Sequence, residues 1–343
     1  MTQDTFCEQS SRSGSRSGFL PDRTVHLHPL DRCNLACSHC YSSSSPLRQS
    51  ILPLESILAA LPHLRREGYQ VLSLSGGEPL LYPWLPELAE AARGQGFRVV
   101  AISNGFRVAA RHERLVAACD RIAVSFDGME ATHISVRGHK RAWEAAVSAL
   151  RYLVASGRPA VAAFTVTARS LAEVPEYIDM CAAIGVGAVQ LRPLVMAGRA
   201  ETDAQDLALA REDLGRLWLM GQTLAIAYEG EVQVHTDLAP APALAADRGA
   251  WDLGMAGLGP LSDLINPLVI GPDGALRPFT YDFPQAFALG SLSDLGPRAV
   301  WRIRARMPAL RAQLDRTLTA AGEAEGFIDW FAFQRDQAVL ASA

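Results

Sequence analysis

The sequence predicts an α/β fold, and two observations carry that prediction. From residue 24 to about residue 226, short β-rich runs alternate with amphipathic helical patterns, and the alternation repeats six times. The β-rich runs are apolar almost throughout, which suits parallel strands covered on both faces. Six βα units fall short of the eight in a closed barrel, so the expected architecture is an open sheet or an incomplete barrel with right-handed crossovers.

TVHLH (24–28) reads as the first strand, followed by an amphipathic helix over 54–68. QVLSLS (70–75) and a helix over 84–96 form the second unit; RVVAIS (98–103) and the helical RHERLVAAC (111–119) form the third. RIAVSF (121–126) leads to a helix over 141–157, AVAAFTVT (160–167) to a helix over 171–185, and GAVQLRP (187–193) to a long helical pattern from about 204 to 226. Beyond about 228 the pattern loosens. EVQVHT (231–236) could be a further strand, and the Ala-rich 241–250 resists placement. NPLVIGPDGALRP (266–278) reads as a β-hairpin turning on PDG, and from about 297 the chain is helical again.

The 343 residues are 49% apolar and 20% charged, enough for one large domain with a smaller appendage. With a net charge of −4 and no long basic run, a large nucleic-acid or acidic-membrane surface is not indicated, although a local patch can hide in a near-neutral total. No apolar stretch approaches the roughly 20 residues that a membrane span needs. The Ser/Gly/Arg-rich residues 1–20 lack the apolar core of a secretory signal and read as a disordered tail. The six cysteines do not form a disulfide framework, so the expected compartment is the cytoplasm. Cys119 and Cys181 sit in apolar helical patterns and read as buried, inert thiols.

CNLACSHC (33–40) holds three cysteines, Cys33, Cys37 and Cys40, spaced C-x3-C-x2-C a few residues after the first strand. In a parallel α/β protein that position is the functional edge. Clustered thiolates repel unless a metal neutralises them. Two metal readings compete. A zinc site would take a histidine such as His26, His28 or His39 as its fourth ligand. An iron–sulfur cluster held by three cysteines would keep one iron open for a cofactor or substrate. SGGEP (75–79) follows the second strand, beside the cysteine loop, and its paired glycines let a ligand approach the backbone.

C-x3-C-x2-C after the first strand, with GGEP after the second, resembles the radical S-adenosylmethionine (radical SAM) superfamily. SNG (103–105), SFDG (125–128), HISVRG (133–138) and GRA (198–200) are similar to further motifs of its peptide- and cofactor-modifying branch. The resemblance covers about residues 24–200. It implies a partial (β/α)6 barrel, in keeping with the six units. Cys33, Cys37 and Cys40 would ligate three irons of one [4Fe–4S] cluster, and S-adenosylmethionine would take the fourth. One electron from the cluster would cleave the sulfonium C–S bond, and the resulting 5′-deoxyadenosyl radical would abstract a substrate hydrogen. The open iron explains three cysteines where four are usual.

Position by position, the resemblance implies that Glu78 and the backbone of Gly76 and Gly77 receive the methionine ammonium. Tyr41 and His39 would pack near the adenine; His39 departs from the apolar or aromatic residue usual there. Ser103 and Asn104 would let the cofactor approach. Ser125 and Asp127 would contact the ribose, Arg137 the methionine carboxylate, and Gln190 with Arg192 the adenine or substrate. His133 reads as structural.

After the barrel, this branch often carries a SPASM or twitch domain, which the hairpin at 266–278 resembles. Phe279 stands where that pattern has a cysteine and Ser291 where it has Asn, and no cysteine follows Cys181. The expected division is a tail over 1–20, a radical SAM partial barrel over 21–228, a small α+β SPASM/twitch-like region over 229–296 without cluster ligands, and a helical tail over 297–343. Phe279 and Tyr281 would fill the vacated space as core or as substrate wall. Without a second cluster, redox-neutral chemistry or an external acceptor is favoured.

Three functions follow. The first is maturation of a ribosomally made peptide by crosslinking, epimerisation or a similar step, with a separate recognition protein in place of the recognition domain that the short N-terminal stretch leaves no room for. The second is a small-molecule reaction on a tetrapyrrole or quinone-type precursor. The third is a non-catalytic cluster-binding scaffold. Either enzyme would need an external one-electron donor of flavodoxin or ferredoxin type.

Overall fold

The structure, a computed structural model, describes residues 22–246, 259–263, 265–292, 295 and 297–342. The tail expected over 1–20 lies outside the described residues, as do Cys7 and positions 247–250 of the Ala-rich run.

Six strands, β1 (Thr24–Leu27), β2 (Val71–Leu74), β3 (Arg98–Ser103), β4 (Arg121–Phe126), β5 (Ala160–Val166) and β6 (Ala188–Pro193), lie parallel in chain order. They are the six strands expected. Helices α1 (Leu54–Arg66), α2 (Leu85–Gly94), α3 (Glu113–Ala117), α4 (Glu130–Arg137), α5 (Ala142–Ala155) and α6 (Val174–Ile184) occupy the crossovers. Side chains alternate along the strands. Val99, Ala101, Ile122, Val124, Phe126, Phe164, Val189 and Leu191 are buried and share one core with Leu61, Leu88, Leu150 and Ile178 of the helices. The opposite face is partly exposed and turns polar at the carboxyl ends, with Ser125 on β4 and Gln190 and Arg192 on β6. On β3 to β6 this second face is partly exposed and lines a lumen, whereas β2 is buried on both faces as expected. Cys119 and Cys181 are buried in the core as expected.

The sheet extends beyond six strands. After α7 (Ala200–Asp203) and α8 (Arg211–Ala227), β7 (Gln233–Thr236) adds in parallel to β6. It coincides with EVQVHT. β8 (Ala239–Pro240) and α9 (Ala241–Ala246) follow. The hairpin forms as β9 (Leu268–Ile270) and β10 (Ala275–Pro278), and β9 pairs in parallel with β1 at the other edge. With β11 (Gly290–Ser291) the sheet reads β11-β10-β9-β1-β2-β3-β4-β5-β6-β7. The hairpin thus continues the barrel sheet. α10 (Pro297–Glu323), β12 (Phe327–Ile328) and α11 (Trp330–Ser342) form the helical end, which β12 ties to β8.

α4 was not expected as a helix. Gly138, at φ +66°, takes the left-handed conformation that ends it, and the Gly138 N–H bonds back to the Ile134 carbonyl at 2.9 Å. The HISVRG motif is thereby wound against the end of β4.

Candidate active site

The cysteine loop leaves β1 at the carboxyl edge of the sheet. Cys33, Cys37 and Cys40 are all free thiols, Cys37 buried and the other two partly exposed. The Leu35 N–H points at Cys33 Sγ (3.4 Å) and the Ser42 hydroxyl lies 3.4 Å from Cys40 Sγ. Burial pushes the Cys33 thiol up to about 12, with Glu78 adding to the effect, and Cys37 up to about 11 against the opposing Arg137 guanidinium. Thiols held so high stay protonated until a cation neutralises them.

The glycine loop packs directly on this segment. A Cβ on Gly77 would collide with the Arg32 carbonyl, and one on Gly76, at φ +94°, with the His28 side chain. The N–H groups of Gly77 and Glu78 bond to Leu30 O and Arg32 O, both at 3.0 Å. The Glu78 carboxylate is buried and accepts from the Leu80 N–H (3.1 Å), the Ser103 hydroxyl (2.9 Å) and the Asn104 N–H (2.9 Å). It was expected to meet an ammonium group; in the structure it accepts from these three protein donors. Asn104 donates from Nδ2 to Asn34 (2.9 Å) and approaches Cys33 Sγ at 3.7 Å. The expected Gly76, Gly77, Glu78, Ser103 and Asn104 are thus brought together behind Cys33.

Asp127 and Arg137, both expected at the cofactor, pair with each other. Asp127 is 0% exposed and accepts Arg137 Nε and Nη2 (the latter at 3.2 Å) and His39 Nε2 (2.8 Å). Burial alone would raise its pKa; the Arg137 guanidinium and His39 hold it well below the usual carboxylate range. The carboxylate expected at a ribose and the guanidinium expected at a methionine carboxylate hold each other. His133, read as structural, accepts the Asp127 N–H at Nδ1, 3.3 Å away.

The remaining candidates lie around the lumen. Gln190 donates to both Asp237 oxygens (3.0 and 2.9 Å), and Arg192 Nε reaches the same carboxylate at 2.6 Å. Tyr41 OH lies 3.4 Å from His28 Nε2, and the His28 ring stacks on Tyr281, centroids 4.7 Å apart. Tyr281 therefore reaches the cysteine loop, whereas Phe279 is buried in the core against Phe283.

The sequence reading gave no role to three contributors. Arg199 bonds Cys37 O (2.5 Å) and Ser44 O (2.7 Å), while a Cβ on Gly198 would strike the Tyr41 carbonyl. GRA therefore clamps the cysteine loop; the motif was seen, its task was not. Asp237 carried no sequence signal. Asp329 caps α11 through the Phe331 and Ala332 N–H groups, and burial with the nearby Asp237 charge raises it to about 6.

Residues 27–181 match the family model described as the Radical SAM superfamily. This stretch, under half of the chain, is similar to a radical SAM domain. The chain is 27% identical over 209 residues to the sporulation killing factor maturation protein SkfB of Bacillus subtilis, covering 60% of this chain and 51% of SkfB. It is 34% identical over 207 residues to pre-heme d1 synthase of Dinoroseobacter shibae, covering 56% of this chain and 51% of that one. The chain thus spans about half the length of these relatives. The fold is shared with Streptococcus suis SuiB bound to S-adenosylmethionine, at a TM-score of 0.66 and 14% identity over 85% of this chain and 68% of SuiB. The family implies a [4Fe–4S] cluster and S-adenosylmethionine. The cysteine loop fits them. Among the described residues, no three His, Cys, Asp or Glu side chains form a group that could hold a metal ion. His28 Nδ1, Asp31 Oδ1 and His39 Nδ1 lie buried without partners along the loop, where a bound group can engage them. No helix among the described residues is long and apolar enough to cross a membrane.

Proposed function

We propose that this chain is a radical SAM enzyme acting on a ribosomally made peptide. The observation that carries the reading is the loop of three free thiols at the carboxyl edge, packed on a glycine cradle and opening on a polar lumen. Cys33, Cys37 and Cys40 would hold the [4Fe–4S] cluster. When bound, the cluster and S-adenosylmethionine supply reductive cleavage of the cofactor's C–S bond and hydrogen abstraction from a substrate. The chain's own work is to hold and orient. Backbone atoms of Gly76 and Gly77 would receive the methionine ammonium, with Glu78, Ser103 and Asn104 fixing that turn from behind. Tyr41 would flank the adenine; Ser125 and Gln190, on the open inner face, would meet the ribose or substrate. Asp127 and Arg137 act through His39 on the cysteine loop.

A peptide substrate is supported by the likeness to SkfB, named as a maturation protein, and by the fold shared with SuiB, which has also been solved bound to its precursor peptide SuiA. A separate recognition protein and an external one-electron donor belong to this reading. The likeness to pre-heme d1 synthase favours a second, a tetrapyrrole substrate. The hairpin, with Phe279 in the core, would be a SPASM-like remnant without a second cluster. One experiment tests these readings: anaerobic incubation of reconstituted protein with dithionite and S-adenosylmethionine, assayed for 5′-deoxyadenosine. Formation supports an enzyme; none from iron-loaded protein leaves a scaffold. Stimulation by a precursor peptide encoded beside the enzyme, and not by porphyrins, supports the first substrate class.

A further inference from the structure

Of Cys37, Ser38 and His39, Ser38 is bonded to the end of α4 and His39 to Asp127, which Arg137 of that helix holds. The Ser38 N–H and hydroxyl both bond to the Val136 carbonyl, at 3.1 and 3.4 Å. That carbonyl belongs to the last turn of the helix, where no helical donor remains for it. His39, one residue before Cys40, donates Nε2–H to Asp127 Oδ1 at 2.8 Å. Asp127 is fully buried at the end of β4, and the Arg137 fork from the last position of α4 grips both of its oxygens. A continuous chain of charge-assisted bonds therefore runs from the guanidinium through the carboxylate to a ring inside the cysteine loop. The imidazole keeps 11% of its side-chain surface exposed, against 0% for Asp127, so it can be changed without opening the core.

We propose that His39 and Asp127 are positioning residues for the cysteine loop, fixing the span from Cys37 to Cys40 in its cluster-holding form. A buried ion pair of the Asp127–Arg137 kind adds little net stability, because desolvation offsets its attraction. A loop free to rotate around Ser38–His39 would have to be ordered by the cluster itself, and would release it more readily. Losing a bond to a charged acceptor is expected to speed release about tenfold. The inference rests on the reading that these three thiols hold a cluster.

The test compares full-length wild type, His39→Leu and His39→Gln after anaerobic reconstitution. Glutamine's amide reproduces the Nε2–H donor; leucine does not. Three quantities are read: iron per chain, the rate at which a chelator bleaches the cluster absorbance, and the EPR signal of the reduced protein with and without S-adenosylmethionine. Thermal unfolding of the metal-free forms checks that each variant folds. We expect His39→Leu to lose its cluster about tenfold faster with an altered signal, and His39→Gln to return to within about threefold of wild type. Equal rates and signals in all three overturn the inference. A His39→Gln protein as weak as His39→Leu overturns the hydrogen-bond account of it. Wild type that binds no iron–sulfur cluster overturns the underlying reading, a failure distinct from the other two.

Discussion

The cysteine loop and the C-terminal hairpin flank the same strand, β1, and are held in opposite ways. Directional polar bonds hold the loop: Arg199 to Cys37 O and Ser44 O, Ser38 to Val136, His39 to Asp127, and Gly77 and Glu78 to Leu30 and Arg32. Apolar burial holds the hairpin, with Leu268, Val269, Ile270, Leu276, Phe279 and Phe283 all buried. Where the relatives' branch resemblance leads one to expect a thiol, Phe279 packs against Phe283 at a ring-centroid distance of 5.5 Å. A segment that must present three sulfurs needs fixed orientation; one that must close the edge of a sheet needs only volume. Polar bonds supply the first and van der Waals packing the second.

The largest effect that would break this contrast is on the thiols. Cys33→Ala, Cys37→Ala or Cys40→Ala is expected to abolish 5′-deoxyadenosine formation and leave less than half the iron per chain, while the melting temperature of the metal-free protein moves little. Retention of full iron in any one of them would sink the role of that thiol.

The next pair of variants sharpens the comparison. Asp127→Asn removes the charge facing Arg137 and is expected to cost about 3–5 kcal/mol, because it leaves a buried guanidinium unpaired. Phe279→Ala is expected to cost a similar amount, about 3–5 kcal/mol, by opening a cavity. Its φ of +64° stays unfavourable with alanine, so no relief offsets the loss. The two should part on the cluster. Denaturant unfolding should give comparable losses, yet chelator bleaching should accelerate in Asp127→Asn alone. Equal acceleration in both would mean that the hairpin orders the cysteine loop as much as α4 does.

The same contrast decides what the sequence disclosed. Strands β1 to β6 were legible because each is a short apolar run between helical patterns, and the hairpin was legible from PDG. The place of the hairpin was not: β9 is three buried residues, Leu268–Ile270, and nothing in LVI names β1 as its neighbour. The open inner face was missed because residues such as Ala123 and Val161 leave the alternation looking apolar. α4 was missed because EATHISVR mixes β-branched and polar residues and is recognised as a helix only by its packing. At the site, the three cysteines and the glycines were read from spacing. The task of Glu78 was not, since carboxylates facing a ligand and facing Ser103 look alike in sequence. Asp237 was invisible because its partner Arg192 lies 45 residues away.

The smallest effect concerns the aromatic contact that joins the two regions. His28 is buried between Tyr41 and Tyr281, and burial, with His26 and Arg277 nearby, lowers its pKa to about 3. The folded protein therefore holds it neutral while the unfolded chain protonates near 6.5. This contribution is fully present above about pH 6.5 and is lost as pH falls toward 3. Between pH 7 and pH 5 it amounts to about 2 kcal/mol. His28→Phe keeps a ring against Tyr281 and removes the titration. Denaturant unfolding from pH 7 to pH 5 should then show wild type losing about 2 kcal/mol more than the variant, whatever their difference at pH 7. Parallel curves would mean that the imidazole finds a proton acceptor in the folded state, and that the link between the loop and the hairpin is polar after all.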